Sequence, residues 1–219
     1  ERIKIITKER IRDEINKLLV GKNPSMGIRT LVESGLSLYI IPEINELKIE
    51  VDPKHHHKDV YEHTLAVLDG VPPKLTLRMG ALLHDIAKPN TKGIENGKVH
   101  FRHHEVVGGR MTKKILKGLK YDNKTIEDIA LLVEQHLRPH TFKMGWTDSA
   151  VRRYIVDAGH MLEDLNELVR ADVTTKNKIK AKEIYENLDE MEKRIEEVKA
   201  KEELSKIRPA LSGLSLIHI

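Results

Sequence analysis

Four polar side chains occur at positions where the helical pattern of the sequence predicts a buried face. They are His63, His84, Asp85 and Asp172. A buried charge without a partner is costly, so each of these residues needs a compensating group. Taken singly, each has an ordinary explanation, such as a hydrogen-bonded core histidine, an ion-pair partner or a helix cap. Taken together, two imidazoles and two carboxylates form a set that can bind a divalent cation.

His84 and Asp85 are adjacent, and neighbouring side chains of a helix project about 100° apart. A cation bound by both must lie between their two directions, in a cleft to which other helices contribute ligands. We expect His63 and Asp172 to supply these. The set suits Mg, Mn, Fe, Co or Ni better than a structural zinc site. Such a site leaves room for a water and a phosphate oxygen, and its metal would lower the pKa of the water and neutralise phosphoryl charge.

The composition limits other kinds of chemistry. The chain of 219 residues contains no cysteine, so any metal must be bound by histidine and carboxylate. Apolar residues make up 39% and charged residues 33%, as in a globular protein. No apolar segment approaches the roughly 20 residues of a membrane-spanning helix. A net charge of +4 permits contact with nucleic acid without requiring it. We therefore expect a cytoplasmic protein with no membrane association.

Apolar residues recur at helical spacings along the chain, and no segment of useful length alternates as a strand does. Residues 1–50 are predicted to form a small helical unit and residues 51–58 a polar linker. Six helices are then expected to position the ligands. They are a helix capped by Asp59, one from Leu75 to Lys88, one at about 104–117, one at about 125–137, one capped by Thr147, and one carrying Asp172. We expect Pro89 to end the second of these and residues 90–100 to form a loop.

The last part of the chain predicts a long charged helix with one apolar seam. The seam consists of Ile184, Leu188, Met191, Ile195 and Val198. It is expected either to pack on the domain or to pair with a partner helix. The chain opens on Glu1 rather than Met and closes with an uncharged segment after Gly213. Both ends look cut from a longer gene product.

The ordered set of His63, the segment Ala81–Pro89 and Asp172 resembles the ligand signature of the HD superfamily of metal-dependent phosphohydrolases. Within Ala81–Pro89, His84 and Asp85 form the His-Asp pair from which that signature takes its name. The resemblance implies an all-α fold with an HD-type helical domain and a divalent metal ion.

Further segments resemble the HD region of bacterial CCA-adding tRNA nucleotidyltransferases and related poly(A) polymerases. These segments are Asp59–Asp69, Phe101–Glu105 and Trp146–Tyr154. Glu1-Arg2-Ile3, Gly35-Leu36 and Ile41-Pro42-Glu43 resemble the RNA-binding neck of the same enzymes. The resemblance covers about residues 1–213. It implies a neck at 1–50, an HD phosphohydrolase domain at 51–213 and a tail at 214–219 outside the family pattern.

The same resemblance assigns roles to three more residues. His104 and His136 match the two additional histidines of binuclear HD hydrolases, which would bind a second metal or contact phosphate. The alternatives are a surface histidine in a loop for His104 and a core histidine for His136. Lys88 is expected to hold a phosphate as a point charge, or else to be a solvated lysine at a helix end.

The resemblance also implies partners and leaves alternatives open. The expected partners are tRNA or other RNA, bound modestly through the neck and basic residues such as Arg152 and Arg153, and a phosphomonoester or 2′,3′-cyclic phosphate substrate. The Gly-Ser motif and paired aspartates of a nucleotidyltransferase head are missing, so this chain alone should not add nucleotides. One alternative is a tRNA-holding body with a vestigial metal site. Another is a hydrolase of dNTPs or signalling nucleotides, against which the neck-like residues argue.

Overall fold

A computed structural model describes residues 2–49 and 59–206. The predicted linker at 51–58 and the predicted tail at 214–219 lie outside the described residues. Most of the described chain is helical, which confirms the predicted all-α class. Among the described residues no helix is long and apolar enough to cross a membrane.

The bounds of the elements are as follows. The α-helices are α1 Lys8–Val20, α2 Pro24–Glu33, α3 Ser37–Ile40, α4 Glu43–Glu46, α5 Val60–Gly70, α6 Leu75–Leu83, α7 Lys88–Thr91, α8 His104–Gly118, α9 Asn123–Gln135, α10 Asp148–Ala158, α11 Leu162–Asp172 and α12 Lys178–Lys206. Short 3-10 helices span Arg2–Ile5, Arg138–Met144 and Gly159–Met161. Strands β1 Gly93–Glu95 and β2 Lys98–His100 pair antiparallel.

Two predicted helix caps are confirmed. The Asp59 carboxylate accepts a hydrogen bond from the backbone N–H of Tyr61 at 2.9 Å, and α5 begins at the next residue. The Thr147 hydroxyl accepts from the backbone N–H of Ala150 at 3.3 Å, and α10 follows. Each side chain satisfies a backbone donor that the first helical turn leaves unpaired.

The prediction that one helix runs from Leu75 to Lys88 was wrong. Helix α6 ends at Leu83, the chain turns, and the short α7 begins at Lys88. Pro89 therefore lies in the first turn of a helix instead of ending one, a position where its missing N–H leaves no hydrogen bond unmade. His84 still has helical backbone angles, with φ −55° and ψ −37°.

Residues 90–100 are not simply the predicted loop, because β1 and β2 form a hairpin there. The turn between the strands is Asn96-Gly97, with φ values of 52° and 70°. Positive φ at both central residues is the geometry that an Asn-Gly pair favours in a two-residue hairpin. The Asn96-Gly97 pair was the sequence signal for this hairpin. The strands, at three residues each, are too short to show an alternating pattern.

The neck does not pack as a separate unit, contrary to expectation. Helix α1 contacts α6 and helix α2 contacts α5, so its apolar residues join the core of the HD region. The guanidinium of Arg78, on α6, donates hydrogen bonds to the carbonyls of Leu19 at 2.5 Å and Gly21 at 2.6 Å, at the end of α1. A pair of short amphipathic helices buries little apolar surface alone, which explains this docking.

The apolar seam of α12 packs on the domain, which decides between the two predicted alternatives. Leu188, Met191, Ile195 and Val198 are buried, and α12 contacts α10 and the 3-10 helix at Arg138–Met144. Arg170 on α11 forms ion pairs with Asp189 at 2.6 Å and Glu192 at 2.7 Å. Helix α12 is therefore held on the domain by the apolar contacts of its seam and by the ion pairs that Asp189 and Glu192 form with Arg170.

Candidate metal centre

Three helices bring the four predicted ligands together. His63 lies on α5, His84 and Asp85 follow the end of α6, and Asp172 is the last residue of α11. Helices α5, α6 and α11 contact one another, so the residues meet although they are distant in sequence. His84 and Asp85 are buried, while His63 and Asp172 are half-buried.

The ligand atoms converge on one small volume. His63 Nε2 lies 2.9 Å from Asp172 Oδ1 and 3.2 Å from His84 Nε2. His84 Nε2 lies 3.2 Å from Asp85 Oδ2 and 3.6 Å from Asp172 Oδ1. Nitrogen and oxygen ligands bind a divalent metal at about 2.0–2.2 Å, which places neighbouring ligand atoms about 3 Å apart. The spacing of His63, His84 and Asp85 is therefore that of a metal-ligand set, and Asp172 lies within 3.6 Å of both imidazoles.

Three imidazoles share one hydrogen-bonding pattern that prepares them to bind a metal. In each, Nδ1 donates to the backbone carbonyl three residues earlier, at 2.7–2.8 Å: His84 to Ala81, His104 to Phe101, and His136 to Val133. A carbonyl can only accept, so Nδ1 carries the proton, and in the neutral ring Nε2 keeps a lone pair. Such outer hydrogen bonds commonly orient histidines that bind metals.

Asp85 connects two groups of ligand atoms. Its Oδ2 faces the group described above, while its Oδ1 lies 3.2 Å from His104 Nε2 and 3.9 Å from His136 Nε2. Asp85, His104 and His136 form a second group whose atoms could hold an ion. The surface-loop alternative for His104 was wrong, because its ring is buried at the start of α8. His136 is buried as well.

Two buried atoms in the second group have no hydrogen-bond partner among the described residues. They are Asp85 Oδ1 and His104 Nε2, which face each other across 3.2 Å. With the His104 proton on Nδ1, both atoms present lone pairs, and a positive charge between them relieves the repulsion. This donor chemistry fits a metal ion.

The electrostatics also require positive charge. Burial raises the pKa of Asp85, but the charge of His84, the contacts with the imidazoles of His104 and His84, and lastly the charge of Lys88 outweigh it and bring the pKa well below its ordinary value. Burial likewise raises the pKa of Asp172, while hydrogen bonds from His140 and His63 bring it well below. Both carboxylates are therefore ionised at neutral pH, and this buried cluster carries two negative charges that cations must balance.

The pKa values of two buried imidazoles, His84 and His136, shift in opposite directions. Burial lowers the pKa of His84, but the charges of Asp85 and Asp172 outweigh it, so the net shift is upward. His136 has a pKa lowered to about 3, mainly by burial and then by His84. At neutral pH His136 is consequently an uncharged imidazole, the form that binds metals.

Lys88 contacts a carboxylate. Its ammonium group lies 2.5 Å from Asp85 Oδ2 and 5.8 Å from the centre of the Phe101 ring. It is thus neither the solvated lysine of one alternative nor a side chain already extended towards a substrate. Its predicted phosphate contact stays a prediction.

Sequence reasoning missed two residues at the site. His140 Nε2 lies 3.5 Å from Asp172 Oδ2, and the Thr174 hydroxyl lies 2.8 Å from His63 Nδ1. His140 follows His136 by four positions, and this spacing was the available signal. Nothing in the sequence around Thr174 distinguishes it from the adjacent Thr175.

Two family models match the chain. Residues 55–179 match the HD domain, and residues 1–48 match a model described as a probable RNA and SrmB-binding site of polymerase A. Since the first match covers more than half of the chain, the chain belongs to the HD-domain family. The resemblance to the neck and HD region of CCA-adding enzymes is confirmed.

The relatives include two tRNA nucleotidyltransferases. The chain is 33% identical over 171 residues to the A-adding tRNA nucleotidyltransferase of Deinococcus radiodurans, covering 75% of this chain and 38% of that protein. It is 29% identical over 172 residues to the CC-adding tRNA nucleotidyltransferase of Thermus thermophilus, covering 75% and 39%. A multifunctional CCA protein of Haemophilus influenzae is 30% identical over 146 residues, covering 62% and 35%. The chain spans about two fifths of the length of these relatives.

Proposed function

We propose that this chain is a metal-dependent phosphohydrolase that acts on phosphomonoesters or 2′,3′-cyclic phosphates. The observation that carries the proposal is the pair of buried, unpartnered atoms Asp85 Oδ1 and His104 Nε2. A metal ion bound between two such lone pairs relieves their repulsion, and the surrounding imidazoles and carboxylates are suitable ligands for it.

Each side chain has a proposed role. His63, His84, Asp85 and Asp172 are the proposed metal ligands, of Mg, Mn, Fe, Co or Ni. A bound ion of this kind lowers the pKa of water and screens phosphoryl charge. His104 and His136 would hold a second ion or the phosphate. Asp85 would bridge both groups.

Lys88 and His140 are proposed to contact the phosphate. Lys88 balances Asp85 in the absence of substrate, and it would turn to a phosphate oxygen once a metal neutralises that carboxylate. His140 is about one third exposed, with a side-chain accessibility of 32%. It would donate a hydrogen bond to the phosphate while its contact with Asp172 orients the ring.

Residues 1–50 are proposed to bind tRNA or other RNA. The match of residues 1–48 to a probable RNA-binding model supports this role, as do the names of the relatives. Arg152 and Arg153, both exposed on α10, would add phosphate contacts. The division into 1–50, 51–213 and 214–219 and a cytoplasmic location remain predictions.

A second candidate is a tRNA-holding body whose metal centre does no chemistry. It is favoured by the relatives, which are named as nucleotidyltransferases, not as hydrolases. In that case the chain would bind tRNA and release no phosphate from any substrate. The buried lone pairs would then need an explanation other than catalysis, such as a purely structural ion.

A hydrolysis screen distinguishes the two candidates. Protein purified without chelator is assayed against phosphomonoesters, 2′,3′-cyclic nucleotides and dNTPs, with Mg, Mn, Co or Ni added singly. We expect release from the first or second class, and loss of at least about a hundred-fold in Asp85→Asn. The matched control is Asp128→Asn, since Asp128 is also buried and paired with a histidine and a lysine. No hydrolysis with any metal favours the RNA-holding body, and hydrolysis of dNTPs alone favours a nucleotide hydrolase.

A further inference from the structure

A groove of about 470 Å³ lies between α12 and the segment that leads from the metal centre to α10. Phe142 and Trp146 contribute aromatic rings to it, and Asn187, Glu190 and Lys193 contribute polar groups from α12. Its volume is that of a small-molecule site. The neighbouring residue His140 contacts Asp172, so one short segment joins the groove to the metal centre.

The aromatic floor of the groove is rigid. The ring of Trp146 lies edge-on to Phe142 with a centroid distance of 5.8 Å, and 5.3 Å from the fully buried Tyr154. Its indole N–H donates to the Thr141 hydroxyl at 3.0 Å. Trp146 is nevertheless only partly buried. The guanidinium of Arg138 lies over the ring, 6.0 Å from its centre. The exposed part of the indole is a surface on which a flat ring can stack.

The polar groups around this floor carry both charge signs. Arg194 and Glu197 pair with each other at 3.0 Å. Lys143 and Lys193 are exposed, and within the part of the chain that the structure describes neither forms an ion pair. Two ammonium groups are therefore available to an anion.

Asn187 and Glu190 provide hydrogen-bond acceptors on the same wall. The side-chain N–H of Asn187 donates to the Glu183 carbonyl at 2.6 Å, which leaves its Oδ1 as an acceptor. The carboxylate of Glu190 is a second acceptor. A flat ligand with N–H donors at its edge and a negative charge would match these groups.

We propose that this groove binds a nucleotide, with the base on Trp146, its amino edge on Asn187 or Glu190, and its phosphate near Lys143 and Lys193. The nucleotide is either a free mononucleotide or one unit of a single-stranded RNA. The site is distinct from the metal centre, and its existence does not depend on hydrolysis.

Tryptophan fluorescence tests the proposal directly, because Trp146 is the single tryptophan of the chain. The full chain is titrated in EDTA with AMP, CMP, the trinucleotide ApApA and ribose 5-phosphate. We expect saturable quenching by the nucleotides and none by ribose 5-phosphate, which has no base. Quenching by AMP or CMP with the affinity of ApApA identifies a mononucleotide site. Tighter binding of ApApA identifies a site for RNA.

Surface variants keep the test independent of Trp146, whose replacement would also disturb Tyr154. Asn187→Leu and Lys193→Glu should each weaken binding by about ten-fold. Lys199→Glu, a charge reversal on α12 outside the groove, should leave binding unchanged. Circular dichroism verifies that each variant is folded. Asp85→Asn should also bind normally, whether or not the metal centre hydrolyses anything.

Three outcomes would overturn the proposal. The first is no quenching by any nucleotide, and the second is equal quenching by ribose 5-phosphate. The third is binding that Asn187→Leu and Lys193→Glu leave intact while Asp85→Asn abolishes it. That last result would place the nucleotide at the metal centre.

Discussion

His104 Nε2 and Asp85 Oδ1 face each other across 3.2 Å, both buried and both without a hydrogen-bond partner among the described residues. The proton on His104 Nδ1 is committed to the Phe101 carbonyl. The lone pairs of the two atoms therefore face each other. This contact predicts how the stability of the metal-free protein should change when one of the lone pairs is removed.

Replacing His104 by Gln gives Asp85 a hydrogen-bond donor in place of a lone pair. We expect the metal-free variant to be more stable than the metal-free wild type by about 1 kcal/mol, since it gains a charge-assisted hydrogen bond. The stabilisation gained on adding metal should decrease. Thermal unfolding with and without metal measures both effects. The exposed neighbour provides a control, because the same replacement there, His103→Gln, should alter neither quantity. A metal-free variant less stable than wild type would contradict the lone-pair argument.

Replacing Arg78 by Met should destabilise the protein without removing metal. The change leaves the carbonyls of Leu19 and Gly21 without their buried donor, which costs about 3 kcal/mol. Urea unfolding measures the loss. Arg10→Met, an exposed change on α1, should cost less than about 0.5 kcal/mol. If Arg78→Met were as mild as this control, the neck would not be held by these bonds.

Met191→Ala should cost about 3 kcal/mol, because Met191 is fully buried in the seam of α12 and its loss leaves a cavity. Ile179→Ala, on the same helix but 74% exposed, should have little effect. Denaturant unfolding compares the two. Similar small effects would show that α12 is not docked as described.

The ion pair between Arg29 on α2 and Glu62 on α5 should make stability depend on pH. The hydrogen bond from Arg29 brings the pKa of Glu62 below its ordinary value near 4.5. The folded state therefore binds this proton less readily than the unfolded chain. The contribution is present above pH 4.5 and is lost as the pH falls through the lowered pKa.

Both side chains of this pair are more than one third exposed, so the contribution is at most about 1 kcal/mol. Unfolding of wild type and Glu62→Gln from pH 7 to pH 3 measures it. The difference between the two proteins should shrink on acidification. A constant difference would mean that the pair contributes nothing through its charge.

The sequence predicted which segments are helical better than it predicted where each helix ends. The segment Ala81–Pro89 placed His84 and Asp85 together beside an apolar helix, although the structure has them just after its end. Caps such as Asp59 are local features. The bend after Leu83 was missed because a proline is compatible with both the end and the first turn of a helix. The Asn96-Gly97 hairpin was missed because its strands are too short to show alternation.

The long-range relationships of the site could be predicted only in part. Composition and order indicated that His63 and Asp172 belong with His84. The contacts of Thr174 with His63 and of His140 with Asp172 depend on how α11 and the 3-10 helix at Arg138–Met144 pack, which no local pattern encodes. The unpartnered atoms Asp85 Oδ1 and His104 Nε2 could not be predicted either. Their burial and the position of the His104 proton both depend on tertiary structure.

The metal content of the purified protein shows directly whether Asp85 holds a metal ion. Wild type purified without chelator is analysed by mass spectrometry of its metals, beside Asp85→Asn and the control Asp128→Asn. We predict one or two equivalents of a divalent ion in wild type and in the control, and near-complete loss in Asp85→Asn, because Asp85 faces both groups of ligand atoms. Wild-type metal content in folded Asp85→Asn, or no metal in wild type supplied with Mg, Mn, Fe, Co or Ni, would contradict the account.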